Sequence, residues 1–499
     1  MAITAGDNLN SVPLHKKQAL STNYLDLSSA SNAGWGQQYV PDLMEKEAEV
    51  FGPRTISGFL AQVGAEESMT ADQVVWSEQG RLHLSYKGDI DADNVITIQC
   101  DIDENNFGAS GITVHHGIRE NDTVIVANSN GVKKCLVTGV ADGDGPAGSG
   151  ADITVAAYDA STIATSGATA DKGTTVLVYG SEFAKGVGYN AAAAALEGSR
   201  QANEPQFTTF TNKPIIMKDY YEVSGSDASR IGWVEVSSEE GASGYLWYVK
   251  AESDTRARFN DYVEMSMLES VKGSGSNGVD TQLGLAGNDT KVGTQGLFDA
   301  IQDRGNVTSG ISGVNAATDL AEFDAILAEF DKQGAIEENM LFVNRASALA
   351  IDDMLASMNS YGAGGTSYGV FDNDEDMALN LGFSGFRRGS YDFYKSDFRY
   401  LNDLATRGGI NAANASEAIR GVIIPAGTSS VYDQTVGSSI KRPFLHVRYR
   451  ASQTDDRRMK SWVTGSVGAA TSALDAMQLH MLTERCLITQ GANNFMLMK

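Results

Sequence analysis

Cysteine is scarce in this chain of 499 residues: Cys100, Cys135 and Cys486 are the three copies, far apart. An odd, widely spaced set offers no disulfide framework and no C-x-x-C zinc clip. A reduced, cytoplasmic folding environment is the simplest expectation. Proline is scarce as well, with 8 residues against 53 glycines. Many turns and few rigid linkers follow, so the expected architecture is interwoven rather than beads on Pro-rich strings. Basic charge is in deficit: 38 Lys and Arg face 63 Asp and Glu, for a formal net charge of −25. That excludes a general binder of the phosphate backbone, which needs net cation density, and argues against docking on anionic membranes. No apolar run nears the roughly 18–20 residues that span a bilayer. The stretch Met1–Asp7 lacks the basic and apolar blocks of a signal peptide. Repeats of 20–50 residues and heptads are also missing.

What is present is enough apolar material for a sizeable core, 42% hydrophobic against 20% charged. The length suggests two to four structural units. Residues 1–40 are polar and Asn/Ser-rich and read as an extended arm, followed by a short helix over Pro41–Val50. Val74–Trp76 and Arg81–Tyr86 read as strands. Residues 95–200 form a β-rich module of short β-branched runs: Val95–Ile98, Thr123–Val126, Val132–Val137, Ile153–Val155 and Val176–Tyr179. Their spacing suits a small barrel or sandwich. Ala191–Ala195 is a short helix candidate.

Ile215–Val223 and Ile231–Val236 read as two further strands. A long helix is expected over Gly244–Lys272, capped by Ser243 and stopped by Gly273, about 43 Å long. A second helix is expected over 319–333, with Thr318 as cap and Leu320, Phe323, Ile326, Leu327 and Phe330 as its apolar stripe. Then come a buried strand at Met340–Val343, a helix over Ser347–Met358 and a Gly- and Asp-rich loop at 359–376. A hairpin of Phe383–Arg388 and Tyr391–Lys395 follows. Strands at Val422–Ile424 and Leu445–Tyr449 precede a last helix over Ala473–Glu484.

None of the motifs that could carry chemistry meets its structural requirement. Gly365-Thr366-Ser367-Tyr368-Gly369 has the G-x-S-x-G spacing, but a helix and a Gly-rich loop precede it where a nucleophile elbow needs a strand. The alternating acids Asp89, Asp91 and Asp93, the pair Asp101 and Asp103, and the set Asp372, Asp374 and Asp376 fail the calcium-loop signature. Asn94 and Cys100 stand at positions six and twelve after Asp89, and Met377 at position six after Asp372. His115 and His116 are neighbours in a strand-like region and point to opposite faces, so they cannot readily share a metal. Gly273–Gly278 resembles a phosphate loop in composition alone, without the G-K-[ST] ending. No H-E-x-x-H or dinucleotide fingerprint occurs. The expectation is therefore no catalytic, cofactor-binding or metal residues, no cofactor and no enzyme activity.

The order of parts is the stronger signal: extended arm, long β excursion, one very long helix, an α/β unit, and a closing segment. This order resembles the major capsid proteins of tailed bacteriophages, with the Hong Kong 97 fold, over most of the chain. Phe207–Gly225 looks like the strand returning from the extended E-loop, and Gly244–Lys272 like the spine helix. The block from Thr294 to Asn344 is similar to the start of the axial domain. Leu482–Arg485 through Gly491–Phe495 is similar to the ending of many such subunits. The resemblance implies an α+β chain with five parts: N-terminal arm and short helix at 1–75; E-loop region at 76–240 with the β module inserted at about 95–200; spine helix and peripheral domain at 241–310; axial domain at 311–440; and C-terminal strands and helix at 441–499. The insertion is larger than a minimal E-loop.

Function follows as an expectation from the same resemblance. The chain would be a structural virion protein, a major capsid subunit that self-assembles as hexamers and pentamers into an icosahedral head. That head would enclose double-stranded DNA without sequence-specific binding. Its implied partners are portal, scaffolding and head-decoration proteins, with no membrane. Assembly would occur in the cytoplasm of a bacterial host. No charged helical pre-domain precedes residue 40, so a separate scaffolding protein is implied. Another phage structural subunit (tail tube or adhesin) and an acidic soluble hydrolase are the alternatives. Residues 440–499 carry nine Lys/Arg and four acids, leaving −30 on the rest. The basic cluster Lys441–Lys460 is expected either to pair with acidic neighbours across subunit contacts or to be exposed surface charge worth little per pair.

Overall fold

A computed structural model describes residues 59, 65–78, 83–92, 94–102, 112–114, 116–141, 143–145, 151–159, 163, 172–186, 208–226, 235–237, 243–273, 278–283, 293–334, 336–358, 385–426, 428–433, 438–467 and 470–499. The expected arm, the Pro41–Val50 and Ala191–Ala195 helices and the 359–376 loop lie outside the described residues. Two compact units divide the chain, one built from 1–76 and 210–499 and the other from 77–209. The β-rich unit thus begins ahead of residue 95. Strands β1 (Ala65–Met69) and β2 (Val74–Glu78) precede it, and β2 pairs with β11 (Thr208–Asn212) where the chain returns.

The 77–209 unit contains β3 (Ser85–Ala92), β4 (Val95–Asp101), β5 (Ile112–Val114), β6 (Asp122–Asn128), β7 (Gly131–Ala141), β8 (Gly143–Gly145), β9 (Ala151–Ala157) and β10 (Thr174–Ser181). Six of these close a barrel in the order β10-β3-β4-β9-β7-β6, and β5 pairs with β8 outside it. Alternate residues point inward, as strand geometry requires. Ile96 and Ile98 of β4 meet Val124, Val126, Cys135, Val137, Ile153, Val155 and Val176 in a sealed core, and Cys100 is buried as well. At Gly88 a Cβ would sit 2.1 Å from the Thr97 carbonyl oxygen, and the β3–β4 register shifts there. The acids Asp89 and Asp91 belong to β3, with Ile90 between them turned into the core.

In the other unit the chain continues as β12 (Ile215–Ser224), β13 (Glu235–Ser237), β14 (Ser243–Tyr245), helix α1 (Leu246–Glu269), α2 (Gly278–Gln282), α3 (Leu297–Arg304), β15 (Asn306–Thr308), α4 (Ala316–Gln333), β16 (Glu338–Val343) and α5 (Arg345–Met358). After these come β17 (Gly385–Arg388), β18 (Tyr391–Asp397), α6 (Arg399–Asn402), α7 (Arg407–Ala413), β19 (Gly421–Pro425), the hairpin β20 (Thr428–Asp433) and β21 (Ser438–Pro443), β22 (Leu445–Arg450), β23 (Lys460–Gly465), β24 (Ala476–Thr489) and β25 (Met496–Met498).

Most of these strands fall into two large sheets, with β13-β14 and β20-β21 as separate two-stranded pairs. The first runs β1-β22-β24-β12, with β23 beside β24. Its axis is β24, 14 residues long and mostly buried. Ala473–Glu484, expected as a helix, is strand from Ala476 onward. Ala476, Met477, Gln478, Leu479, Met481, Leu482 and Glu484 are strong helix formers. Pairing with β12 on one side, and with β22 and β23 on the other, overrides that preference. Helix α1 lies across this sheet, with Phe259 and Val263 packed on Met217 and Met481. It has 24 residues, about 36 Å. Ser243, the expected cap, belongs to β14. Lys272, expected inside the helix, lies beyond its end and donates from Nζ to the Thr211 carbonyl at 3.2 Å.

The second sheet runs β15-β25-β19-β16-β18-β17. Helices α4 and α5 cover one face: Phe323, Ile326, Phe330, Ile351 and Met354 pack on Leu341, Val343, Phe386 and Phe393. The α4 cap is Asn315, whose Oδ1 accepts from the Ala317 and Thr318 amides at 3.1 and 3.0 Å, placing Thr318 inside the first turn. Gly334 ends the helix at φ 66°, the left-handed conformation that glycine adopts without a Cβ penalty. The opposite face shares a core with the first sheet, where Phe59, Met267, Leu268, Phe298, Phe342 and Val422 meet Leu445, Val447 and Leu487.

Candidate interaction surface

The first sheet is covered on its α1 side, and its other face carries an open block of side chains. Register places Lys218, Leu482 and Lys460 in one row across β12, β24 and β23. Tyr220, His480 and Trp462 form the next row, and Glu222, Gln478 and Thr464 the third. The middle row is an aromatic ladder: His480 lies 6.1 Å from Tyr220 and 5.2 Å from Trp462, ring over ring. Thr464 Oγ1 is 2.7 Å from His480 Nε2, linking the third row to the second, and Gln478 Nε2 donates to Glu222 at 2.6 Å within the third. Tyr220 is 57% and Ile216 54% exposed, a large apolar share for an outward face.

Beside this block, guanidinium groups from the C-terminal segment meet carboxylates. Glu484 takes Arg450 at 2.8 Å and Arg457 at 2.9 Å, Glu67 takes Arg448 at 3.0 Å, and Lys460 reaches Asp455 at 2.6 Å. Glu66 holds Arg485 at 3.0 Å and also Arg458, and Asp72 takes Arg450. Burial pulls the Arg485 guanidinium below its ordinary range, and the Glu66 charge opposes that pull. The described cations of the Lys441–Lys460 cluster therefore find acids within their own chain. These in-chain pairs stand beside the expectation of acidic partners across a subunit contact. The acids of β1 and its turn lie far away in sequence and gave no local signal.

Where the chain leaves and re-enters the larger unit, Asn212 is a buried polar hub. Its Nδ2 donates to the carbonyls of Leu487 at 2.6 Å and Gln295 at 3.0 Å, and its Oδ1 accepts from the Gln295 amide at 2.9 Å. Arg304 lies over the rings of Phe210 at 4.3 Å and Trp76 at 5.6 Å.

The described residues among those singled out for chemistry do not converge. Gly365–Gly369, Asp372–Asp376, Ser274–Asn277, Asp93, Asp103 and His115 lie outside the described residues. His116 Nδ1 accepts from the Ile118 amide at 3.2 Å, a local turn contact. Asp89 accepts from Gln99 at 3.0 Å, and Asp101 ends β4. Among the described residues, no group of three or more His, Cys, Asp or Glu could hold a metal, and no helix is long and apolar enough to cross a membrane. The barrel's outer wall carries one shallow depression lined by Lys134, Tyr158, Tyr179 and Glu182, with Tyr158 donating to Glu182.

No family model and no curated protein matches this chain. Solved structures do. A chain of Microbacterium phage Oxtober96 is 9% identical with a TM-score of 0.37, covering 94% of this chain and 99% of that one. The capsid of the native GTA particle is similar at 10% identity and a TM-score of 0.36, covering 95% and 98%. The capsid of Cyanophage P-SCSP1u is similar at 8% identity and a TM-score of 0.34, covering 62% and 79%. The structural neighbours are phage and GTA capsid proteins.

Proposed function

We propose that this chain is the major capsid subunit of a tailed phage, assembling with itself as hexamers and pentamers into an icosahedral shell around double-stranded DNA. The observation that carries the reading is the order of parts. A barrel is inserted between two paired strands, a 24-residue helix crosses one sheet, and a second α/β layer follows. The C-terminal strands β24 and β25 then enter both sheets. In this reading the first sheet with α1 is the peripheral domain, the second sheet with α4 and α5 the axial domain, and the barrel the insertion of the E-loop region. The subunit works as a building block, without catalysis or cofactor. Shell strength comes from many modest contacts repeated by symmetry. The net charge of −25 repels phosphate, which suits a container that must fill and later empty. Portal, scaffolding and decoration proteins are its further partners, the virion its location, and the bacterial cytoplasm its place of assembly.

Negative-stain microscopy of the expressed protein, alone and with a scaffolding partner, tests this. Closed shells or hexameric capsomers are the expected result. Rods or fibres would replace it with a tail-tube or adhesin reading. Dispersed small particles with hydrolytic activity would replace it with an enzyme.

A further inference from the structure

The outer edge of β12 stands apart from the rest of the sheet. Over its 10 residues β12 pairs with β24 on one side, and among the described residues no strand pairs with its other side. In an antiparallel ladder, alternate residues aim their N–H and C=O groups toward the neighbour and away from it. The Tyr220 N–H is held by its own neighbour, donating to Asp219 Oδ1 at 2.9 Å. The even-numbered residues therefore present their backbone groups outward. A long edge of this kind is a template for another strand unless something blocks it. Asp219 supplies the block locally, and its second oxygen is 3.9 Å from Arg258 of α1, a partner to which it can turn.

We infer that this edge is a two-fold strand-pairing site for a second copy of the same chain, with the axis at Tyr220. The inference deepens the shell-subunit reading and rests on it for the supply of copies. The sequence of β12 is complementary to itself about that point. Antiparallel pairing with Tyr220 opposite Tyr220 sets Lys218 against the second copy's Glu222, twice by symmetry, and Met217 against its Val223. Lys218 is exposed and, among the described residues, unpaired. Opposite charges placed directly across a strand pair stabilise it, and aromatic pairs add to that. Beneath the edge runs a shallow groove lined by Met217, Tyr262, Met265, Ser266, Glu269 and Ser270, whose apolar part the second copy's strand would cover. An isologous contact of this form is self-limiting: it joins two copies and closes. Asp219 releases the Tyr220 amide as the strands meet and turns to Arg258, so lone subunits keep the edge capped.

Tyr220→Cys tests the geometry directly. The three native cysteines are buried, and paired residues in such a ladder lie about 5.5 Å apart at Cα, within disulfide reach. Mild oxidation should give a covalent dimer. Adding Lys218→Glu or Glu222→Lys should lower its yield about tenfold, and the double exchange should restore it. Asp219→Ala should raise it. Well-formed shells with no Tyr220→Cys dimer and no effect of the charge reversals would overturn the edge pairing and leave the shell reading standing. Cross-linked dimers with the rescue pattern but no shells would do the reverse.

Discussion

Arg407 Nη1 lies 2.9 Å from the carboxylate of Glu269, the last residue of the long helix α1. That contact ties the helix end to α7, and the Tyr400 hydroxyl donates to the other oxygen of the same carboxylate at 2.8 Å. Burial first, and the Glu269 charge next, push the Tyr400 phenol well above its ordinary range. Arg407→Ala leaves the carboxylate half-satisfied at the joint between the two sheets. It should cost about 2 kcal/mol of unfolding free energy in urea titration, in line with charged hydrogen bonds elsewhere. Arg407→Lys should recover part of it, since a single donor replaces the planar fork.

Glu484 is 5% exposed and balances two guanidinium groups. Glu484→Gln leaves Arg457 beside a neutral amide and Arg450 with Asp72 alone, and the expected loss is about 3 kcal/mol. Because both arginines pair inside the chain, Arg457→Glu should lower the melting temperature of the isolated subunit before any assembly step. An unchanged melting curve would contradict the in-chain pairing.

Tyr391 gives a pH signature. Its hydroxyl donates to Asp331 at 2.7 Å, and burial, that bond and the Asp331 charge push its pKa from 10.0 up to about 12. A raised tyrosine pKa favours the folded state fully below the unfolded value near 10. That advantage is lost as pH rises toward the folded value. Tyr391→Phe should therefore flatten the fall in stability between pH 10 and about 12 by about 2 kcal/mol at the upper end. Denaturant titrations at several pH values read it.

The barrel closes its own sheet and seals its own core, so residues 77–209 should fold when expressed alone. Circular dichroism with a single cooperative melt is the expected result. Ile153→Ala, at a fully buried site, should cost about 2–5 kcal/mol in that fragment.

The sequence and the fold agree where local pattern and tertiary demand coincide. The α4 stripe of Phe323, Ile326 and Phe330 is buried as its spacing suggests, and the β-branched runs of the barrel became strands. Disagreement is concentrated where distant segments decide. No local period marks β24 as a strand; three partner strands, at 215–224, 445–450 and 460–465, make it one. The arginine partners Glu66, Glu67 and Asp72 lie more than 370 residues from the cations that they hold, out of reach of any motif search. The Lys218–Tyr220–Glu222 pattern was visible as text, but its meaning depends on β12 being an edge.

The strand order also sets a timetable. Both sheets of the larger unit are completed by residues 476–498, since β24 is the axis of one and β25 sits between β15 and β19 in the other. The barrel is finished at residue 209. At ribosomal rates of roughly 5–20 residues per second, the remaining 289 residues take about 15–60 s to appear. During that interval the nascent chain holds a folded barrel beside an unfinished body whose long-range pairings cannot yet form. The body, and the edge of β12 with it, takes shape only as synthesis reaches β24 and β25.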